Sequence, residues 1–139
     1  MSDFNARNDN LSLNGVELDI FETCKIQNYV AHGVAWDGFG EHKKSGGSIN
    51  GVTRVTEDLF DGNYHTFGLR WTPEEYIFYV DGKESCRTIA VGGACNKPGY
   101  LYITTECDNK WFGDITLDVG EHSDMLVDYV KIYTNSAEY

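Results

Sequence analysis

The residues EYIFYVDGKES (75–85) constrain this chain more than any others. Strand-like residues lead into an Asp-Gly pair and resume after it, the strongest hairpin signal a short sequence carries. Other stretches repeat the strand pattern. GVELDIFE (15–22) alternates apolar and acidic residues, and YVAHGVAW (29–36) reads as its successor. YHTFGLRW (64–71) alternates with period two before a turn at Thr72, Pro73 and Glu74. YLYITTE (100–106) and MLVDYVKIY (125–133) read as two more strands. Residues 37–51, rich in Gly, Lys and Ser, read as a loop, and the polar residues 1–14 as an irregular N-terminal segment. No stretch sustains helical periodicity. Six or seven short strands separated by turns predict an all-β antiparallel sandwich or barrel. The 139 residues suit one domain.

Charge narrows the partners. Twenty-two acidic residues against eleven basic ones give a net charge of −11. Such a surface repels a phosphate backbone, so nucleic acid is not expected as a partner. An anionic membrane surface is disfavoured for the same reason. No run reaches the ~20 apolar residues that span a bilayer, and MSDFNARNDN lacks the apolar core of a signal peptide. A neutral substrate suits the charge, as does the plainer reading of a well-solvated surface. Cys24, Cys86, Cys95 and Cys107 show no CxxC spacing, so a zinc or redox site is weakly supported. Cys86 and Cys95 stand near enough in sequence to close a small disulfide loop, and four unpaired thiols are the alternative.

The chemistry concentrates in ELDIFE. Side chains two apart on a strand share a face, so Glu17 and Asp19 point together and Leu18 and Ile20 point away. Strict alternation sends Glu22 to the other face. One β-bulge between Asp19 and Glu22 returns it to the acidic face, and such bulges are common beside active sites. Carboxyls crowded on one face raise the pKa of at least one of them. That suits retaining glycoside hydrolysis, which needs one ionised and one protonated carboxyl roughly 5 Å apart. Five positions along a strand span about 16 Å at ~3.3 Å per residue, so the two Glu side chains must lean together over Asp19. Ordinary solvated acids on an exposed strand face are the competing explanation.

From Gly15 to Tyr133 the chain resembles glycoside hydrolase family 16, the laminarinase and β-glucanase group. The residues that carry the likeness are Glu17-Leu18-Asp19-Ile20-Phe21-Glu22, similar to the family's E-x-D-x-x-E strand. HGVAWDGFGEHKKS (32–45), YHTFGLRWTPEEYIFYVDGKE (64–84) and MLVDYVKIY (125–133) follow in the family's order. The resemblance implies a two-sheet concanavalin A-like jelly roll with a concave substrate cleft. It implies endo-hydrolysis with retention, with Glu17 as nucleophile, Asp19 as assisting carboxylate and Glu22 as general acid/base. It places His32, Trp36, Glu106 and Trp111 along the cleft, core packing being the alternative for the Trp residues and for His32. The longer, bulged motif is that of laminarinases and agarases. It points to β-1,3-glucan first and mixed-linkage glucan next, and the negative charge speaks against a sulfated galactan. No cofactor is implied for catalysis. Many members bind a structural calcium on the convex face, and Asp128 matches its side-chain ligand position, an exposed strand carboxylate being the alternative. Secretion is also implied.

In the family, several strands precede the acidic one. Here the 14 residues before Gly15 are not strand-like, so a partial domain, incomplete at its N-terminus, is expected over residues 1–139. Open sheet edges and an uncovered apolar face then predict self-association. A non-catalytic glycan-binding module and an inactive remnant are the competing functional readings.

Overall fold

The computed structural model describes residues 16–24, 29–36, 59–88, 94–105 and 124–134. The chain divides into two compact units, residues 1–101 and 102–139.

The first unit holds five strands and, among the described residues, no helix. They are β1 (Val16–Cys24), β2 (Tyr29–Trp36), β3 (Phe67–Trp71), β4 (Tyr76–Val80) and β5 (Lys83–Thr88). β1 and β2 form an antiparallel pair. β3, β4 and β5 form a three-stranded antiparallel sheet in that order. Two antiparallel sheets without a helix are the construction expected of a jelly-roll sandwich.

The expected hairpin joins β4 to β5. Asp81 (φ 49°) and Gly82 (φ 74°) both adopt positive φ, the backbone of a type I′ turn. β3 starts three residues later than expected, and the Asp81 side chain accounts for this. Its Oδ1 accepts the Thr66 N–H at 2.8 Å, while the Asp81 N–H donates to the Thr66 carbonyl at 2.8 Å. His65 Nδ1 meets Asp81 Oδ2 at 2.8 Å. Residues 65 and 66 are thus tied to the hairpin tip rather than paired in the sheet. The turn between β3 and β4 is held by Thr72, whose hydroxyl accepts the N–H groups of Glu74 and Glu75 at 3.2 and 3.1 Å.

One face of each sheet builds the core. Val34, Tyr76, Phe78 and Ala94 are buried together, with Val16, Leu18, Leu69 and Cys86 packed against them. Val30, Leu59 and Val80 form a neighbouring cluster, flanked by Phe21 and Phe67. The rings of those two phenylalanines stack at 4.1 Å. Burial of Val34 and Phe78 contributes about 1.5 to 3 kcal/mol each. Tyr76, also fully buried, finds a partner for its hydroxyl in the Cys95 N–H at 2.6 Å. Trp71 Nε1 donates to the Cys95 carbonyl at 2.7 Å, so two aromatic side chains hold the backbone of one residue. Cys86 and Cys95 are not joined by a disulfide, and burial pushes the Cys86 thiol pKa upward.

The second unit differs from expectation. Residues 102–105 and 124–134 form no strand ladder among the described residues. Their apolar side chains are open: Tyr102, Leu126, Ile132 and Tyr133 are each more than two-thirds exposed. These runs are apolar on both faces, so they need neighbours on both sides before extended backbone gains anything from pairing. At the end of the first unit Tyr100 and Leu101 are also exposed.

Candidate active site

The β1–β2 register builds the acidic face. Glu17 lies across from Ala35, Asp19 from Gly33, and Glu22 from Ala31. The register shifts between Asp19 and Glu22, where Ile20 and Phe21 face the single residue His32. This is the expected β-bulge, and it puts Glu22 in the same alternation as Glu17 and Asp19. Directly paired residues share a face, so the three acids sit beside two alanines and a glycine.

Gly33 is required by the acid opposite it. A Cβ at position 33 would lie 3.2 Å from Asp19 Cγ, 3.3 Å from its Cβ, and closer still to Oδ2. The carboxyl of Asp19 therefore folds across β2 into space that only glycine leaves open. Glu17 is half-buried, and its Oε2 is shut from solvent without a hydrogen-bond partner among the described residues. An unpaired buried acceptor costs about 1 to 3 kcal/mol, which the rest of the fold must offset. Glu22 is exposed.

His32 lies elsewhere than expected. It is 2% exposed, on the packed face with Val30 and Val34, and its ring stacks on Phe78 at 4.8 Å. Nδ1 lies 2.6 Å from the Ile20 carbonyl and Nε2 lies 2.9 Å from Ser85 Oγ. A carbonyl only accepts, so Nδ1 carries the proton and donates. Burial lowers the pKa of the imidazole, outweighing the hydrogen bond to Ile20 that raises it. The ring is therefore neutral, and Nε2 accepts from the Ser85 hydroxyl. His32 is a satisfied core residue and does not line an open cleft. The backbone pairs Trp36 with Val16, in the alternation of Leu18 rather than of Glu17, and its side chain lies outside the described residues. Glu106 and Trp111 also lie outside them.

Asp128 is exposed in the second unit. Among the described residues no group of three or more His, Cys, Asp or Glu side chains is placed to hold a metal.

Gly33 and Ser85 are the residues that inspection of the sequence passed over. Gly33 had a signal, since a glycine inside a strand marks a close approach by another group. Ser85 had none, because its orientation depends on a second bulge, in β5.

An antiparallel two-sheet fold that brings three carboxyls to one face of a bulged strand is an arrangement acid–base chemistry can use. The model of Glycosyl hydrolases family 16 matches residues 9–98, and the chain belongs to that family. The match covers β1 to β5 and so the whole acidic face. It makes the chain a glycoside hydrolase domain whose substrates are polysaccharides. No curated protein and no solved structure matched the chain.

Proposed function

We propose that this chain is an endo-acting β-glucan hydrolase, cleaving β-1,3 or mixed β-1,3-1,4 linkages with retention of configuration. The observation that carries the reading is the bulge at Ile20 and Phe21, which returns Glu22 to the face of Glu17 and Asp19. Without it, the second glutamate would point into the core side of the sheet and no carboxyl pair could flank a glycosidic bond.

In the proposed reaction a Glu17 oxygen attacks the anomeric carbon while Glu22 gives its proton to the departing glycosidic oxygen. A covalent glycosyl-Glu17 ester results, and the shortened glycan leaves with a new hydroxyl. Glu22, now a carboxylate, takes a proton from water, whose oxygen attacks the same carbon and releases Glu17. Asp19 stands between the two and orients them. A neutral glucan suits a chain of net charge −11, and the six-residue acidic strand is similar to that of laminarinases. The exposed apolar side chains at 100–103 and 125–133 support self-association of the chain. Secretion fits a polymeric substrate.

The test is reducing-end release from laminarin, lichenan, agarose and xyloglucan, with Glu17→Gln as control. Release from laminarin or lichenan, lost in the control, supports the reading and names the linkage. A folded chain that releases nothing but binds one of these glycans is a binding module, and the proposed reaction is then wrong.

A further inference from the structure

A second irregularity lies directly across the core from the first. β5 pairs with β4 at Cys86–Phe78 and then at Glu84–Tyr79, so Ser85 is an extra residue on β5. Regular pairing would give one inward residue in this stretch. The extra residue turns Ser85 inward as well, beside Cys86, and its hydroxyl reaches His32. The other ring nitrogen of His32 holds Ile20, one of the two residues of the β1 bulge. A single buried imidazole thus joins the bulge of one sheet to the bulge of the other, with Phe78 fixing the plane of its ring.

We propose that His32 and Ser85 are positioning residues that hold the β1 bulge, and through it set Glu22 in register with Glu17. The physical case rests on what each bond excludes. The extra residue of a bulge leaves backbone groups without ladder partners, so a bulge can migrate or be expelled unless something external satisfies it. If this one slipped by a residue, Glu22 would move to the packed face. Nδ1–H of His32 gives the Ile20 carbonyl the partner it would otherwise seek in a shifted ladder. Ser85 donates to Nε2 and so keeps the proton on Nδ1, the only tautomer that can serve Ile20. His32 is itself only 2% exposed, which limits the water that could substitute for either bond.

The inference rests on the reading that Glu17 and Glu22 share one reaction, and the experiment separates the two. Wild type, Glu17→Gln, Ser85→Ala and Ser85→Thr are compared on the glucan that wild type cleaves. Ser85→Ala is expected to lower kcat on the order of 10- to 100-fold, the cost of an Å-scale misplacement, with KM within about twofold. Ser85→Thr keeps the hydroxyl and should restore most of the rate. An unchanged kcat in Ser85→Ala, or a loss that Thr does not rescue, overturns the proposal.

Two readouts need no activity. Nitrogen NMR should find His32 neutral and protonated on Nδ1 in wild type. Amide exchange at residues 20–23 should quicken on the order of tenfold in Ser85→Ala, as expected for loss of about one hydrogen bond, while exchange in β4 stays the same. If wild type cleaves no glycan, the reaction has failed, and these readouts still decide whether the bridge holds the bulge. Unchanged exchange at 20–23, or a proton on Nε2 instead of Nδ1, would overturn it.

Discussion

The two faces of the β1–β2 pair are built from alternate residues of the same strands, yet they treat polar groups in opposite ways. On the packed face the one buried polar side chain among the described residues, His32, has a partner at each ring nitrogen and an aromatic ring beneath it. On the acidic face a buried oxygen of Glu17 has no partner among the described residues, and Asp19 occupies space that a side chain at position 33 would need. The first arrangement is what stability alone selects. The second costs stability, and groups left in that condition cluster where chemistry is done. Under the proposed function the acidic side is the working side of the sheet.

The sharpest way to break this comparison is Glu17→Gln. Loss of an essential nucleophile should lower kcat by at least about 10⁴-fold. If Oε2 truly lacks a partner, the same change should leave the urea midpoint unaltered or raise stability by up to about 1 kcal/mol. A clear loss of stability instead would mean that the carboxylate is held as firmly as His32, and the two faces would not differ.

Next in size is Phe78→Ala on the packed face. It removes a fully buried ring that supports His32, and should cost about 3 to 5 kcal/mol in urea unfolding. A cost below about 1 kcal/mol would mean that the two sheets do not share a core at this position.

A smaller effect tests the acidic face from its other strand. Gly33→Ala should cost about 1 to 3 kcal/mol, as overpacking does, because the new methyl meets the Asp19 carboxyl. In an Asp19→Ala background most of that cost should vanish, a coupling that a double-mutant cycle measures directly. Equal costs in both backgrounds would show that something other than Asp19 fills the space.

How much of this could be read beforehand depends on whether the signal was local. The Asp-Gly hairpin and the acidic alternation are local, and both stand in the structure with the bulge between Asp19 and Glu22 that the alternation required. The position of His32 was also within reach. His32 shares its parity with Val30 and Val34, while Ala31, Gly33 and Ala35 occupy the other, so the apolar side of β2 was visible in its spelling. Four-residue spacing to Trp36 says that two positions share a face and does not say which face. The start of β3 and the inward turn of Ser85 were not legible, because each is decided across the chain: Asp81 captures Thr66, and the register with β4 leaves Ser85 over. The runs at 100–106 and 125–133 have the composition of strands, but composition does not supply the neighbour a ladder needs.

The smallest effect concerns pH and sets His32 against His65. Burial lowers the pKa of His32, so the fold favours its neutral form. Its stabilisation is complete above the ordinary value of 6.5 and is lost as pH falls through the lowered one. His65 is the reverse case. The hydrogen bond to Asp81 at 2.8 Å, aided by Asp61 at 3.3 Å, raises its pKa against a smaller opposing effect of burial. The fold favours the charged ring, so its stabilisation is complete below 6.5 and fades as pH rises through the raised value. Urea midpoints of wild type and His65→Gln should therefore converge as pH rises from about 5 to 9. The midpoints of wild type and His32→Gln should converge as pH falls over the same range. Convergence in the same direction for both would show that the two rings do not differ in charge, and the neutral hinge between the two bulges would lose its basis.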